Sequence, residues 1–159
     1  MVTSWEGAYR GLMPDEIFEL VNYETRLDQW NRYFAEPRPR HLIWIAEAAS
    51  GAIAGMANIG PTRDKDLDSN SVAELFAIYV DPEHWDEGLG RDLMVAALEG
   101  VAELGFTEVA LWVLDTNARA RAFYESGGWT SDGAAKVDES FGLPLREIRY
   151  RLELDGPQA

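Results

Sequence analysis

The chain has 159 residues, a 47% hydrophobic composition and a formal net charge of −14 at pH 7, so we expect one acidic domain spanning 1–159. The acidic balance argues against a nucleic-acid partner, because affinity for phosphate backbones comes largely from clusters of Lys and Arg. The chain contains no cysteine, which excludes disulfides, thiolate zinc sites and a cysteine nucleophile. We find no signal-peptide pattern and no long apolar run, so we expect a cytoplasmic location without a membrane partner.

The spacing of apolar residues predicts helices and strands in a mixed order, which is typical of an α/β sheet with helices packed on it. The predicted helices are 4–9, 15–22, 25–34, 88–104 and 117–126. The predicted strands are 41–48, 53–59, 72–80, 108–114 and 145–154, with another extended segment beginning at Trp129. Segment 60–71 is expected to be a loop, and the tail from Asp155 is expected to fray.

A Gly88-Leu89-Gly90 turn follows the strand 72–80 and opens the next helix. Free N–H groups at a helix start carry partial positive charge and suit a pyrophosphate. Glycine at a helix start can also serve turn geometry alone, and that reading stays open here. A dinucleotide fingerprint is disfavoured, because Leu93 stands where its third glycine would be.

Three polar residues are candidates for chemistry, each with a plain structural alternative. Tyr124 could donate a proton to a leaving group, or it could only pack on its helix. Asn117 could bind an extended ligand, or it could only cap the helix 117–126. Glu74 could act as a general base, because positions 74, 76, 78 and 80 share one face of a regular strand, or it could lie in solvent. His41 and His84 are isolated, so we expect no metal site.

These residues resemble the motifs of the GNAT superfamily of N-acetyltransferases. The cofactor turn of that family has the pattern Arg/Gln-X-X-Gly-X-Gly/Ala, which matches the segment from Trp85 to Gly90. Its later helix carries Asn, an aromatic-Tyr pair and Gly-aromatic, which match Asn117, the pair Phe123-Tyr124 and the pair Gly128-Trp129. The resemblance is strongest over 72–129.

The resemblance implies a mostly antiparallel mixed sheet with helices on both faces and a central pair of splayed parallel strands, 72–80 and 108–114. It also implies acetyl-coenzyme A as the donor, with direct attack by an amine in a ternary complex. Tyr124 would protonate the departing thiolate, and Glu74 would take a proton from the incoming ammonium. The implied cofactor-binding residues are Ile78, Val80, Glu87, Gly88, Leu89, Gly90, Arg91, Asn117 and Tyr124.

Three features depart from the family pattern. Trp85 occupies the usual Arg/Gln position, and Asp86 and Glu87 place acid beside the phosphate turn. The family's first strand is missing from the pattern before the first helix. The sheet edge beside 41–48 would then be open, and a homodimer could cover it.

The expected acceptor is a cationic primary amine of a small molecule or a protein. Two alternatives keep the fold without the catalysis: a non-catalytic acyl-coenzyme A binding module and a dimeric interaction module. The N-terminal helices and the segments 60–71 and 136–144 are expected to determine the choice of acceptor.

Overall fold

The computed structural model describes residues 2–154, and the side chains from residue 4 onward. The tail from Asp155 lies outside the described residues. The predicted elements are confirmed in type and order, with ends that differ by a few residues. The helices are α1 Val2–Tyr9, α2 Asp15–Leu20, α3 Tyr23–Ala35, α4 Leu89–Glu103 and α5 Ala118–Ser126, and a short 3₁₀ turn spans Pro82–His84. The strands are β1 Leu42–Glu47, β2 Ile53–Pro61, β3 Val72–Val80, β4 Glu108–Leu114, β5 Thr130–Asp138 and β6 Leu145–Glu153.

The six strands form one sheet in the order β1-β2-β3-β4-β6-β5. Every neighbouring pair is antiparallel except the central pair of β3 and β4, which is parallel. The parallel pairing runs from Val72 opposite Glu108 to Leu75 opposite Leu111 and then stops. Both strands continue beyond that point, so their carboxyl ends separate. The expected mixed sheet with a splayed parallel pair is confirmed.

A β-bulge changes the direction of the β3 side chains at the point where the strands separate. Leu75 pairs with Ile59 and Ala77 pairs with Asn58, so Phe76 is the extra residue. Leu75 and Ile78 consequently both pack on the core beneath α4. The expectation that positions 74, 76, 78 and 80 share a face is therefore wrong, because it assumed an uninterrupted alternation.

Helices cover both faces of the sheet, as expected. On one face, α4 contributes residues such as Leu93 and Ala97 to the larger core, against which α5 also packs. On the other face, α1 and α2 contribute Trp5 and Ile17 to a second core that includes Leu114 of β4. The splay between β3 and β4 thus lies between two packed layers.

The strand β1 lies at one edge of the sheet. The first element of the described residues is the helix α1, and the lack of the family's first strand stays a prediction. The homodimer proposed to cover this edge stays a prediction. No helix of the described chain is long and apolar enough to span a bilayer.

Candidate active site

A cleft of about 750 Å³ opens where β3 and β4 separate. Its walls come from the end of β3, the turn before α4, the first turn of α4, the helix α5 and part of α1. Every residue predicted to bind the cofactor lines it: Ile78, Val80, Glu87, Gly88, Leu89, Gly90, Arg91, Asn117 and Tyr124. The structure therefore brings this predicted set together in one place, whereas Glu74 is not part of the lining.

The glycine turn gives the cleft a wall of backbone. Gly88 has a φ of 88°, in the left-handed region, and this backbone conformation favours glycine there. A Cβ on Gly90 would make only ordinary contacts of 3.7 Å with Phe123 and Val80, so packing does not demand glycine at that position. The N–H of Arg91 donates to the Gly88 carbonyl at 3.0 Å, whereas helix geometry leaves the N–H groups of Leu89 and Gly90 without a partner in the helix, at its positive end. This wall suits a phosphate group.

The unusual Trp85 has a defined place beside the turn. Its indole Nε1–H donates a hydrogen bond of 2.9 Å to the backbone carbonyl of Val80. The guanidinium of Arg119, on α5, lies 3.9 Å from the Trp85 ring centre and 3.6 Å from a carboxylate oxygen of Asp86. Sequence reasoning missed Arg119, although its position two residues after Asn117 could have suggested it. The turn thus has a cation on its cleft side that α5 supplies.

Asn117 begins α5 as its N-cap. The side-chain Oδ1 accepts a hydrogen bond of 3.1 Å from the backbone N–H of Ala120, and the residue is buried. The capping interpretation is therefore confirmed. Because the same residue lines the cleft, the cap also fixes the amide at the cleft wall, where its contact with a ligand stays a prediction.

Tyr124 lies in the cleft with its ring packed against the core. Its ring centre is 5.6 Å from that of Phe123 and 6.0 Å from that of Trp129. Burial, with a smaller effect from the nearby Tyr79 phenol, raises the pKa of Tyr124 far above its usual value. The phenol therefore keeps its proton at neutral pH, as a proton donor must.

A family model supports the same reading of the chain. The model described as the acetyltransferase (GNAT) family matches residues 5–129. This chain belongs to the GNAT family. It is accordingly an N-acetyltransferase, a kind of acyltransferase, and this membership disfavours the two non-catalytic alternatives.

Relatives of this GNAT protein span most of its length. It is 28% identical over 148 residues to an uncharacterized N-acetyltransferase, YuaI, of Bacillus subtilis, covering 92% of this chain and 80% of the relative. It is 42% identical over 120 residues to an uncharacterized N-acetyltransferase of Archaeoglobus fulgidus, covering 75% of this chain and 77% of the relative. A crystal structure of PaiA N-acetyltransferase from Thermoplasma acidophilum, in complex with coenzyme A, has a TM-score of 0.64 at 21% identity. That likeness covers 96% of this chain and 87% of the other, and it shows the fold.

Glu74 of this GNAT protein is engaged in an ion pair. Its carboxylate accepts from the Arg63 side chain, with an Nη2–Oε1 distance of 2.6 Å, and from the Arg63 backbone N–H at 2.9 Å. Glu74 is almost fully buried, and its position falls within the part of β3 that is still paired with β4. Its role as a general base stays a prediction.

Several side chains on the sheet face opposite α4 lie near the point where β3 and β4 separate. Tyr79 lines the cleft, and its ring centre is 6.4 Å from the ring centre of Tyr9. Glu147, on β6, lies on the same face and was also missed from the sequence, because the fold and not the chain order places it there. Within residues 2–154 we find no cluster of His, Asp and Glu side chains able to hold a metal ion.

Proposed function

We propose that this enzyme transfers the acetyl group of acetyl-coenzyme A to a primary amine of a small molecule or a protein. The amine attacks the thioester directly in a ternary complex. The observation that carries the proposal is the single cleft in which the glycine turn, Asn117 and the Tyr124 phenol meet at the splay. The complex of PaiA with coenzyme A supports the choice of cofactor, because that enzyme has the same fold.

Each part of the cleft suits one part of acetyl-coenzyme A. The backbone N–H groups from Glu87 to Arg91 would bind the pyrophosphate, because they need no basic side chain to do so. The backbone of Ile78 and Val80, where β3 is no longer paired with β4, would bind the amides of the pantetheine arm. Asn117 would contact the same arm from α5.

Tyr124 would act as the general acid. When the amine nitrogen forms a bond to the acetyl carbon, the C–S bond breaks and the sulfur gathers negative charge. The buried phenol would donate its proton to that sulfur, and its raised pKa keeps the proton available over the physiological range. Tyr124 would regain a proton from solvent before the next turnover.

An apolar pocket supports an acceptor with an apolar part. The pocket has a volume of about 210 Å³ and lies between α3 and the strands β1 and β2. It shares Ser4 and Tyr79 with the cleft, while Trp30, Phe34 and Ile45 supply apolar walls. A cationic amine with a compact apolar group would reach the thioester past Tyr79, and the net charge of −14 would favour its approach.

The proposal is tested by Tyr124→Phe in an assay of thiol release from acetyl-coenzyme A with a panel of primary amines. The expected result is a loss of kcat of about 10²-fold or more, since a general acid contributes on that scale. The dissociation constant of acetyl-coenzyme A should change little, because the ring remains in place. Unchanged turnover by this variant would contradict the assigned acid role.

A further inference from the structure

Glu147 lies beside the open end of the splay. It pairs with Leu114, the last residue of β4. Directly opposed residues of an antiparallel pair place their side chains on the same face of the sheet. Leu114 belongs to the core under α1 and α2, where Tyr9 and Tyr79 also pack. The Glu147 carboxylate is therefore on the face opposite α4, one strand away from the gap between β3 and β4.

The Glu147 carboxylate is largely buried, and a neighbouring cation neutralises its negative charge only in part. Its side chain is 21% exposed, and its nearest cation is Nζ of Lys136 at 3.4 Å. That ammonium also lies 4.2 Å from the centre of the Trp112 ring, so its charge is shared. Burial is the main cause that raises the pKa of Glu147, and Lys136 opposes this effect. Other ionisable groups that influence Glu147, or are influenced by it, come from the neighbouring elements: Tyr9, Arg63, Glu74, Tyr79 and Asp138.

The Tyr9 side chain packs in the second core beside Tyr79, which lines the cleft. Burial raises the pKa of Tyr9 most, and smaller contributions come from Tyr79, Tyr124 and Glu147. The half-buried Tyr9 side chain thus shares the second core with Tyr79 and Leu114, and Leu114 pairs with Glu147. A carboxylate that can accept a proton and a phenol that can donate one consequently lie around the same gap in the sheet.

We propose that Glu147 is the catalytic base that accepts the proton of the acceptor's ammonium, directly or through one water. The inference rests on the proposed function, because it needs an amine as acceptor. The ammonium N–H bond breaks and its proton passes to Glu147, and the freed lone pair forms the C–N bond to the acetyl group. The C–S electrons leave on sulfur, which takes the proton of Tyr124, and the second proton that the nitrogen loses on becoming an amide returns to Tyr124 through solvent. Glu147 passes its own proton to solvent, so one net proton is released per acetyl transferred.

Glu147 suits this role better than Glu74 does. Glu74 is held by two side-chain hydrogen bonds and one backbone hydrogen bond from Arg63, so both of its carboxylate oxygens already have partners. The carboxylate of Glu147 has one lysine partner that is shared with an aromatic ring. Glu147 lies opposite the end of β4 that is no longer paired with β3, whereas Glu74 lies where β3 and β4 are still paired.

The test compares Glu147→Gln with Glu153→Gln, a matched control on the same strand and face but at its other end, opposite Glu108. The probes are benzylamine and 1,4-diaminobutane, with thiol release from acetyl-coenzyme A as the signal. We expect Glu147→Gln to lower kcat by about 10²- to 10⁴-fold without changing the KM of acetyl-coenzyme A. Glu153→Gln should retain the wild-type kcat. Equal kcat values for the two variants would overturn the inference. It would also be overturned if Glu74→Gln alone abolished the rise of kcat/KM with pH on the acidic side of the pH profile.

The pH profile separates a base from a merely structural carboxylate. In the wild type, kcat/KM should rise as the pH rises through the pKa of Glu147, because the base must be deprotonated. Lys136→Met removes the cation that opposes the raised pKa, so it should move this acidic limb to higher pH. Glu147→Gln should remove the limb. A limb that stays in place in both variants would contradict the assignment.

A stability measurement tests the inference without turnover. A carboxyl group whose pKa is raised by folding destabilises the native state above that pKa, and the effect disappears at pH values below the unfolded-state pKa. Glu147→Gln should therefore have a higher Tm than Glu153→Gln near neutral pH, and the difference should vanish in acid. A lower Tm at neutral pH would overturn the inference. If wild type shows no stabilisation by acetyl-coenzyme A, the proposed function fails instead, so the two failures are distinguishable.

Discussion

The indole N–H of Trp85 donates a 2.9 Å hydrogen bond to the backbone carbonyl of Val80. This contact joins the end of β3 to the turn that precedes α4, and both line the cleft. Trp85 stands where the family pattern has Arg or Gln, so here an aromatic ring fixes the turn. We expect Trp85→Phe to weaken acetyl-coenzyme A binding by up to about tenfold, because one hydrogen bond contributes about 0.5–1.5 kcal/mol. Titration calorimetry measures the change.

The control for that variant is Trp85→Leu. Phenylalanine keeps a ring for the Arg119 guanidinium, whereas leucine removes both the ring and the N–H. The leucine variant should therefore bind acetyl-coenzyme A more weakly than the phenylalanine variant does. Wild-type affinity in Trp85→Phe would show that the hydrogen bond to Val80 does not organise the turn.

Arg119 should bind the phosphates of the cofactor. The chain carries a net charge of −14, and Asp86 and Glu87 add negative charge at the turn, so a cation on the cleft wall offsets local repulsion. We expect Arg119→Gln to weaken acetyl-coenzyme A binding and to reduce its dependence on salt concentration. The control Arg32→Gln removes the same charge from the exposed side of α3 and should leave binding unchanged. Equal effects of the two substitutions would indicate a long-range field rather than a contact.

Arg149 should be important for stability. Its guanidinium is buried and bonded to the carboxylates of Asp64, Asp66 and Asp132, at 3.0, 2.7 and 2.7 Å. These contacts attach the loop after β2 to the strands β5 and β6. Arg149→Met leaves the carboxylates close together without their cation, so we expect a loss of about 3 kcal/mol or more in the free energy of unfolding.

The matched control is Arg146→Met on the same strand. Arg146 is exposed and forms a single ion pair of 2.8 Å with Asp115, so its removal should cost about 0–1 kcal/mol. Urea unfolding gives both values. A loss at Arg149 no larger than that at Arg146 would contradict the view that the buried guanidinium holds the loop.

Local sequence patterns were sufficient to predict most of the fold and the set of residues that line the cleft. Residues close together in the sequence are enough to recognise the apolar stripe of α4, the short strands that Gly and Pro delimit, and the Gly88-Leu89-Gly90 turn. The cleft follows from them, because a parallel crossover brings the turn before α4 and the start of α5 to the same end of the sheet. Asn117 was predictable as a cap for the same local reason.

The acceptor side could not be predicted in this way. Because Phe76 is an extra residue in β3, Glu74 lies on a different face of the sheet from Ile78. The local sequence pattern does not predict this bulge. Arg63 and Glu147 meet this region only through the loop after β2 and the pairing of β6 with β4. Long-range pairing therefore determines the surroundings of each carboxylate, and local sequence patterns do not predict that pairing.

The most direct test of the acetyl-coenzyme A cleft is thermal unfolding of the wild type and of Gly90→Val with and without acetyl-coenzyme A. A ligand at about one hundred times its dissociation constant adds about 2.7 kcal/mol of stability, which should raise the wild-type Tm by several degrees. The valine side chain would enter the cleft near Phe123 and Val80, so its variant should show a much smaller rise. An unchanged wild-type Tm, or an equal rise in both proteins, would contradict the account of the cleft.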